Sequence, residues 1–276
     1  MVVEKKYRLV CIDIDGTLAK DDKSISEFNK KTLKKLSEKG VNVAIASGRT
    51  LTSIKSIMEE IGIPLTAICL NGGQVIVNNE TIHTNFLNYQ QVDCIFKTIA
   101  KFNANATFNG VDFSIRNHDI SLQWRAQIEN GSLKADFIIA NDPIEYKQLI
   151  YNHVNEIVKV SIMEENKQQF ESIKRELQNY NLFSVVKSDT NYIDVTDLNS
   201  TKGKALNKLA EYINVAMDDV LSIGDNENDY EMLNNAGVGV AMRNANEKIK
   251  NIADFVTLSN NEDGVAYAIH KFLLKD

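Results

Sequence analysis

Apolar positions in the first third of the chain switch between two spacings. "RLVCID" is a short continuous apolar run and reads as a strand buried on both faces. "SEFNKKTLKKLSEKG" follows, with Phe28, Leu33 and Leu36 at helical spacing and Gly40 as a stop signal. "VNVAIAS" is a second strand. "TLTSIKSIMEEIG" is a second helix that places Leu51, Ile54, Ile57, Met58 and Ile61 on one face, and "LTAICL" is a third strand. This βαβαβ order predicts a parallel sheet with helices on both faces.

After Asn71-Gly72-Gly73, a turn signal, "QVIVNNETIHTN" reads as a hairpin. From about Leu87 to Ser188 the pattern is different. "YQQVDCIFKTIAKFN" and "EENKQQFESIKRELQN" are helical, whereas "ATFNG", "DFSIRN", "ADFIIA", "IVKVSIM" and "FSVVKS" are strand-like. Several strands in succession predict an antiparallel sheet. The βα alternation resumes with "YIDVTD" and runs through "DVLSIGD", "VGVAM" and "DFVTLS", with helices between and after them. The expected fold class is therefore α/β. A doubly wound, Rossmann-like parallel-sheet core is formed by 1–86 and 189–276, and an α+β domain over 87–188 is inserted into it.

Composition narrows the classes. Of 276 residues, 43% are hydrophobic and 25% charged, a globular balance, and the net charge of −6 implies no basic face for nucleic acid. Cys11, Cys69 and Cys94 form neither a disulfide framework nor a zinc spacing, and Cys11 and Cys69 read as buried thiols. The N-terminus lacks a signal-peptide pattern, and no apolar run approaches the roughly 18 residues that span a membrane. No membrane partner and a cytoplasmic location are expected. The lysines from Lys30 to Lys39 read as a solvated helix face. His83, His118, His153 and His270 lie apart and take no role, and Trp124 with the aromatics near it reads as core of the insert.

Ligands of open parallel sheets bind beyond the C-terminal strand ends. Those positions hold Asp13, Asp15, Gly16 and Thr17 after the first strand, and Ser47, Gly48 and Arg49 after the second. Later come Lys202-Gly203 at a helix start, then Gly224 through Asp229. Asp13 and Asp15, two like charges two residues apart, have no folding rationale. Several carboxylates in one crevice call for a cation, and hard oxygen ligands favour Mg2+, which in turn favours phosphate oxygens. Ser47 and the Gly48 amide can donate to phosphate, and Lys202 adds a compact positive charge. One aspartate could attack phosphorus while a second moves a proton.

"DIDGTL" (13–18), "SGR" (47–49), "KGKAL" (202–206) and "GDNENDYEML" (224–233) resemble, in order, the four motifs of haloacid dehalogenase superfamily phosphatases. "AGVGVAM", "ADFVTLSNNEDGVA" and the "NGG" turn resemble the Cof-type subfamily, and the insert resembles its α/β cap. The resemblance implies a Mg2+-dependent phosphomonoester hydrolase for a small phosphorylated metabolite, a sugar phosphate or nucleotide-type cofactor. Asp13 would be the nucleophile and a metal ligand. Asp15 would be the general acid/base and bind metal through its carbonyl. Asp225 would be the third ligand. Ser47, with the Ile14 and Gly48 backbones, Lys202 and Asn228 would hold the phosphoryl group, and Asp229 and Thr17 would support the site from behind. A phosphomutase of the same fold, or a non-catalytic binding protein, are the alternatives, and a monomer or weak homo-oligomer is expected.

Overall fold

The computed structural model of the protein describes residues 7–119 and 137–274, so Trp124 lies outside the described residues. The larger sheet has eight strands, in spatial order β14 (Phe255–Val256), β13 (Val238–Ala241), β12 (Val220–Gly224), β1 (Leu9–Ile12), β2 (Asn42–Ala46), β3 (Thr66–Cys69), β4 (Gln74–Val77) and β5 (Glu80–Thr84). Neighbours from β14 to β3 pair in parallel, and the β4–β5 hairpin closes one edge antiparallel. Asn78 and Asn79, with φ of 49° and 70°, form the hairpin turn, the left-handed pair that matches strand twist.

Strand β1 explains the layering. Val10 and Ile12 pack on one side with Leu33 and Leu36 of α1 (Glu27–Glu38), Ile54 and Met58 of α2 (Leu51–Ile61), and Val265 and Ile269 of a C-terminal helix (Gly264–Phe272). Leu9 and Cys11 pack on the other with Ala205, Leu206 and Leu209 of the helix Lys202–Tyr212 and with Met232. Each fully buried aliphatic side chain contributes roughly 1.5–3 kcal/mol, so both faces must be covered. Phe28 departs from the expected stripe. It is exposed and stacks on the His270 ring at 5.5 Å, while Asn29 and Thr32 turn inward with Leu33 and Leu36. Asn29 Oδ1 accepts from the Ala266 amide at 2.9 Å, which satisfies the oxygen of the inward amide and ties α1 to the C-terminal helix.

Among the described residues the smaller sheet has six strands, in order β10 (Phe183–Asp189), β11 (Tyr192–Asp197), β9 (Lys159–Met163), β6 (Asn105–Asn109), β7 (Ser114–Arg116) and β8 (Phe137–Ile139). It is antiparallel except for the β7–β8 pair. The helices α3 (Tyr89–Phe102), α4 (Pro143–Asn152) and α5 (Lys167–Asn179) cover one face through Ile95, Ile150, Ile173 and their neighbours. Helix α4 was not among the expected elements. Its start was legible: Asp142 accepts from the Ile144 and Glu145 amides, and Pro143 occupies the first turn.

"YIDVTD" does not reopen the core. It is strand β11, paired with β9 and β10, so the smaller sheet continues past 188 to Asp197. The physical reason is period. Ile193 and Val195 face the apolar cluster, while Asp194 and Thr196 lie on the opposite face. Such alternation belongs to a one-sided antiparallel strand, not to a strand buried between helices. Beyond it α6 (Lys202–Tyr212), α7 (Tyr230–Asn235), α8 (Glu247–Ile252) and α9 (Gly264–Phe272) alternate with the remaining core strands as expected.

Candidate active site

Four loops meet at the C-terminal ends of the central strands. The Asp13 amide donates to the Ile223 carbonyl at 3.0 Å, which extends the β1–β12 pairing by one residue and places the carboxylate at the crevice floor. The chain then coils back, with Leu18 and Ala19 amides bonded to Asp13 and Ile14 carbonyls at 3.2 and 2.9 Å. Gly16 makes the turn at φ 80°.

Asp13 is 5% exposed and Lys202, the first residue of α6, is 1% exposed. Lys202 Nζ donates to Asp13 Oδ1 and to Asp229 Oδ1, both at 2.6 Å. Asp229 Oδ2 accepts the Asp225 and Asn226 amides at 2.9 and 3.1 Å, so its bonding capacity is largely used. Thr17 donates to Asp225 Oδ1 at 2.8 Å. One carboxylate oxygen each from Asp13, Asp225 and Asp229 lie within 4.8 Å of one another. Burial raises the Asp13 pKa well above the usual range; Lys202 opposes this, and Asp229 and Asp225 add to it. Burial, then the Asp229 charge, pushes Asp225 up to about 7. Burial alone would lower the Lys202 pKa, but Asp13 and Asp229 outweigh it and raise it.

These observations test the donor set for a cation. Asp13 and Asp225 are close enough that the charge on Asp225 raises the Asp13 pKa. Two buried carboxylates that oppose each other's ionisation are where a divalent ion can take the place of a proton. With Asp229 committed to Lys202 and two amides, Asp13 and Asp225 retain the open oxygens. The residues fit a divalent metal.

Asp15 is placed differently from expectation. Its side chain is 45% exposed and turns away from the carboxylate cluster. Arg49 donates from Nε to Oδ2 at 2.9 Å and from Nη2 to Oδ1 at 2.7 Å, and Lys23 adds a contact at 3.2 Å. Burial pulls its pKa up, but these cations outweigh it and hold it at about 2. The two acids share a loop and not a direction, because successive residues of a turning strand end diverge. Neither Lys23 nor the Arg49 clasp was foreseen.

Ser47 is buried at the end of β2, and its Oγ accepts from the Arg49 amide at 3.3 Å. Helix α2 begins only at Leu51, so Gly48 precedes the helix rather than opening it. Ile14 is buried beside Asp13. Asn228 gives Nδ2 to Asn71 Oδ1 at 3.1 Å. Asn71 had signalled only a turn, yet its side chain is buried here and also donates to Asp194 of the smaller sheet at 2.6 Å. Lys159 of the same sheet donates to the Gly48 carbonyl at 2.7 Å. Only the alternating polar positions of β9 and β11 could have signalled these two. A cavity of about 120 Å3 adjoins Lys202 and Asn228, lined further by Ser184, Thr196 and Glu231.

The family profile for haloacid dehalogenase-like hydrolases matches residues 10–269. The chain is 30% identical to the 5-amino-6-(5-phospho-D-ribitylamino)uracil phosphatase YcsE of Bacillus subtilis, over 97% of this chain and 96% of that protein. It is 27% identical to the phosphatase YwpJ of the same organism, over 96% of this chain and 100% of that one. A solved haloacid dehalogenase-like hydrolase from Bacteroides thetaiotaomicron superposes with a TM-score of 0.81 at 27% identity, covering 96% of this chain and 99% of its own. Among the described residues, no helix is long and apolar enough to cross a membrane.

Proposed function

We propose, since this chain belongs to the haloacid dehalogenase-like hydrolases, that it is a Mg2+-dependent phosphomonoester hydrolase working through an aspartyl-phosphate on Asp13. It is a phosphatase, as its relatives are named, and its substrates are small phosphorylated metabolites. The observation that carries the finer reading is the buried Asp13–Lys202–Asp229 chain beside Asp225.

Asp13, Asp225 and the Asp15 carbonyl would hold the metal. When bound, it supplies charge neutralisation for phosphate oxygens and lets both carboxylates ionise. The rest is done by the chain itself. Lys202 keeps Asp13 in place and offsets negative charge on the transferring group. The Ser47 hydroxyl, the Ile14 and Gly48 backbones and the second N–H of the Asn228 amide hold its oxygens. Asp13 attacks phosphorus as the bond from phosphorus to the ester oxygen breaks, and that oxygen leaves with a proton from Asp15, which must first swing from Arg49 and take up that proton from solvent. Asp15 then takes a proton from the water that cleaves the aspartyl-phosphate and restores the Asp13 carboxylate. The unit built on the smaller sheet acts as the cap that covers the crevice and selects the substrate.

The test is phosphate release from p-nitrophenyl phosphate with and without Mg2+. Mg2+-dependent release that disappears in Asp13→Asn is expected, and undiminished activity in that variant would overturn the mechanism. Transfer of phosphate within a sugar, with none released, would point to a mutase. The ribitylaminouracil phosphate named for the Bacillus relative is the first metabolite to try.

A further inference from the structure

A buried ion pair on the smaller sheet reaches into the phosphate-binding loops of the core. Lys159 and Asp194 are 7% and 3% exposed and lie 3.2 Å apart, Nζ to Oδ2. Burying such a pair costs desolvation that its own attraction rarely recovers, so stability alone does not account for it. The distances show where it is aimed. The ammonium sits closer to the Gly48 carbonyl, at 2.7 Å, than to its own carboxylate partner.

We propose that Lys159 and Asp194 are positioning residues for phosphoryl transfer: Lys159 orients the Ser47 hydroxyl through the Gly48–Arg49 peptide, and Asp194 orients Asn228 through Asn71. This rests on the phosphatase reading, in which Ser47 and Asn228 hold the phosphoryl group.

The first link is a single planar unit. The Gly48 carbonyl held by Lys159 and the Arg49 amide belong to one peptide plane. That amide donates to Ser47 Oγ at 3.3 Å. Fixing one end of the plane fixes the donor that the hydroxyl faces.

The second link follows from donor and acceptor capacity. Asp194 Oδ1 accepts from Ser161 Oγ at 2.7 Å, and Oδ2 accepts from Lys159 and from Asn71 Nδ2. An ionised carboxylate only accepts, so the Asn71 amide must turn its nitrogen to Asp194 and its oxygen to Asn228. Asn228 then turns Nδ2 towards Asn71, and the second hydrogen of that nitrogen is left for an anion. Asp194 thus dictates the orientation of two amides in series.

The backbone holds Asn71 in place for this. Leu70, Asn71 and Gly72 are all left-handed, at φ 52°, 56° and 96°, a run that persists only where the surroundings enforce it. The start of β9 is seated on the core, where Val158, just before Lys159, packs in the main core cluster.

The experiment compares Lys159→Met and Asp194→Asn with the unaltered protein in Mg2+. It measures kcat and KM on p-nitrophenyl phosphate, and affinity for orthovanadate, a mimic of the transferring group, and for inorganic phosphate. Loss of positioning lowers kcat by about 10- to 100-fold and weakens orthovanadate binding by a similar factor, while KM and phosphate affinity change by less than about threefold. Ser161→Ala, which removes one neutral donor and leaves the pair intact, loses less than about fivefold. If either charge variant does not fold, Lys159→Met/Asp194→Asn, which leaves no unpaired buried charge, is read the same way. A lowered melting temperature with kcat and orthovanadate affinity within about twofold of the unaltered protein would mean a structural pair only and overturn the proposal. If the unaltered protein hydrolyses no phosphate ester, the phosphatase reading fails on its own, and calorimetric orthovanadate affinity still reads the positioning of the loops.

Discussion

Arg49 closes on both carboxylate oxygens of Asp15, at 2.9 and 2.7 Å, and so holds ionised and apart from Asp13 the group assigned to proton transfer. An acid held at about 2 is a poor proton donor at neutral pH, so the proposed role of Asp15 requires the clasp to open. Asp15→Asn is expected to cut hydrolysis of alkyl phosphates by about 10²- to 10⁴-fold. The loss with p-nitrophenyl phosphate, whose leaving group needs less protonation, is expected to be smaller. Steady-state rates on both esters check this, and equal losses would remove Asp15 from the acid role.

Lys202→Met leaves Asp13, Asp225 and Asp229 together with no cation among them. Removing one partner of a buried pair typically costs about 3–5 kcal/mol, and this lysine serves two carboxylates. A marked drop in melting temperature is expected, partly recovered by millimolar Mg2+, together with loss of turnover. Thermal unfolding with and without Mg2+ measures the first, and phosphate release the second. A variant as stable as the unaltered protein in the absence of metal would contradict the buried cluster.

The raised pKa of Asp225 has a definite sign in stability. Its folded value of about 7 lies above the unfolded carboxylate value of roughly 3.9. The stabilisation tied to its protonation is complete below about pH 4 and is lost as pH rises through about 7. Asp13, also raised, acts in the same direction. Metal binding requires both groups ionised and releases protons. Mg2+ is therefore expected to raise the melting temperature much more at pH 8 than at pH 5, and its binding heat should depend on buffer ionisation enthalpy. Equal Mg2+ shifts at the two pH values would exclude the cluster as the metal site.

The core was legible because its signals are local and strong. "RLVCID" and "VNVAIAS" are continuous apolar strands, and each ends in residues that the topology then gathers at the C-terminal ends of the central strands. Asp13, Lys202, Asp225 and Asp229 do meet there. What escaped depended on direction or on distant partners. Spacing placed Asp15 beside Asp13 but could not say that a turn would carry its carboxylate to Arg49. "YIDVTD" has a period-two pattern, and its position next to a βα stretch masked that. With β11 misplaced, Asp194 could not be seen opposite Lys159 and Asn71, contacts that join residues 35 and 123 positions apart. Asn71 read as a turn former because its backbone is one; nothing in a turn signal says which way the amide points.

Two glycines with nearly the same backbone separate strain from chemistry. Gly16 has φ 80° and Gly40 φ 78°, so alanine at either position pays a left-handed penalty of about 1–2 kcal/mol. Around Gly40 nothing lies within 4 Å of an added Cβ. At Gly16 the Cβ would lie 2.5 Å from Asp225 Oδ2 and push against the carboxylate that Thr17 steadies. Gly40→Ala is expected to lower the melting temperature slightly and leave turnover and Mg2+ dependence unchanged. Gly16→Ala is expected to lower it by a similar amount through φ, but also to weaken Mg2+ activation and reduce kcat by at least about tenfold, because a ligand carboxylate is displaced. Mg2+ titrations of activity in the two variants, alongside thermal unfolding, make the comparison. If Gly16→Ala kept the Mg2+ dependence of the unaltered protein, Asp225 would not be holding the metal from the position it has here.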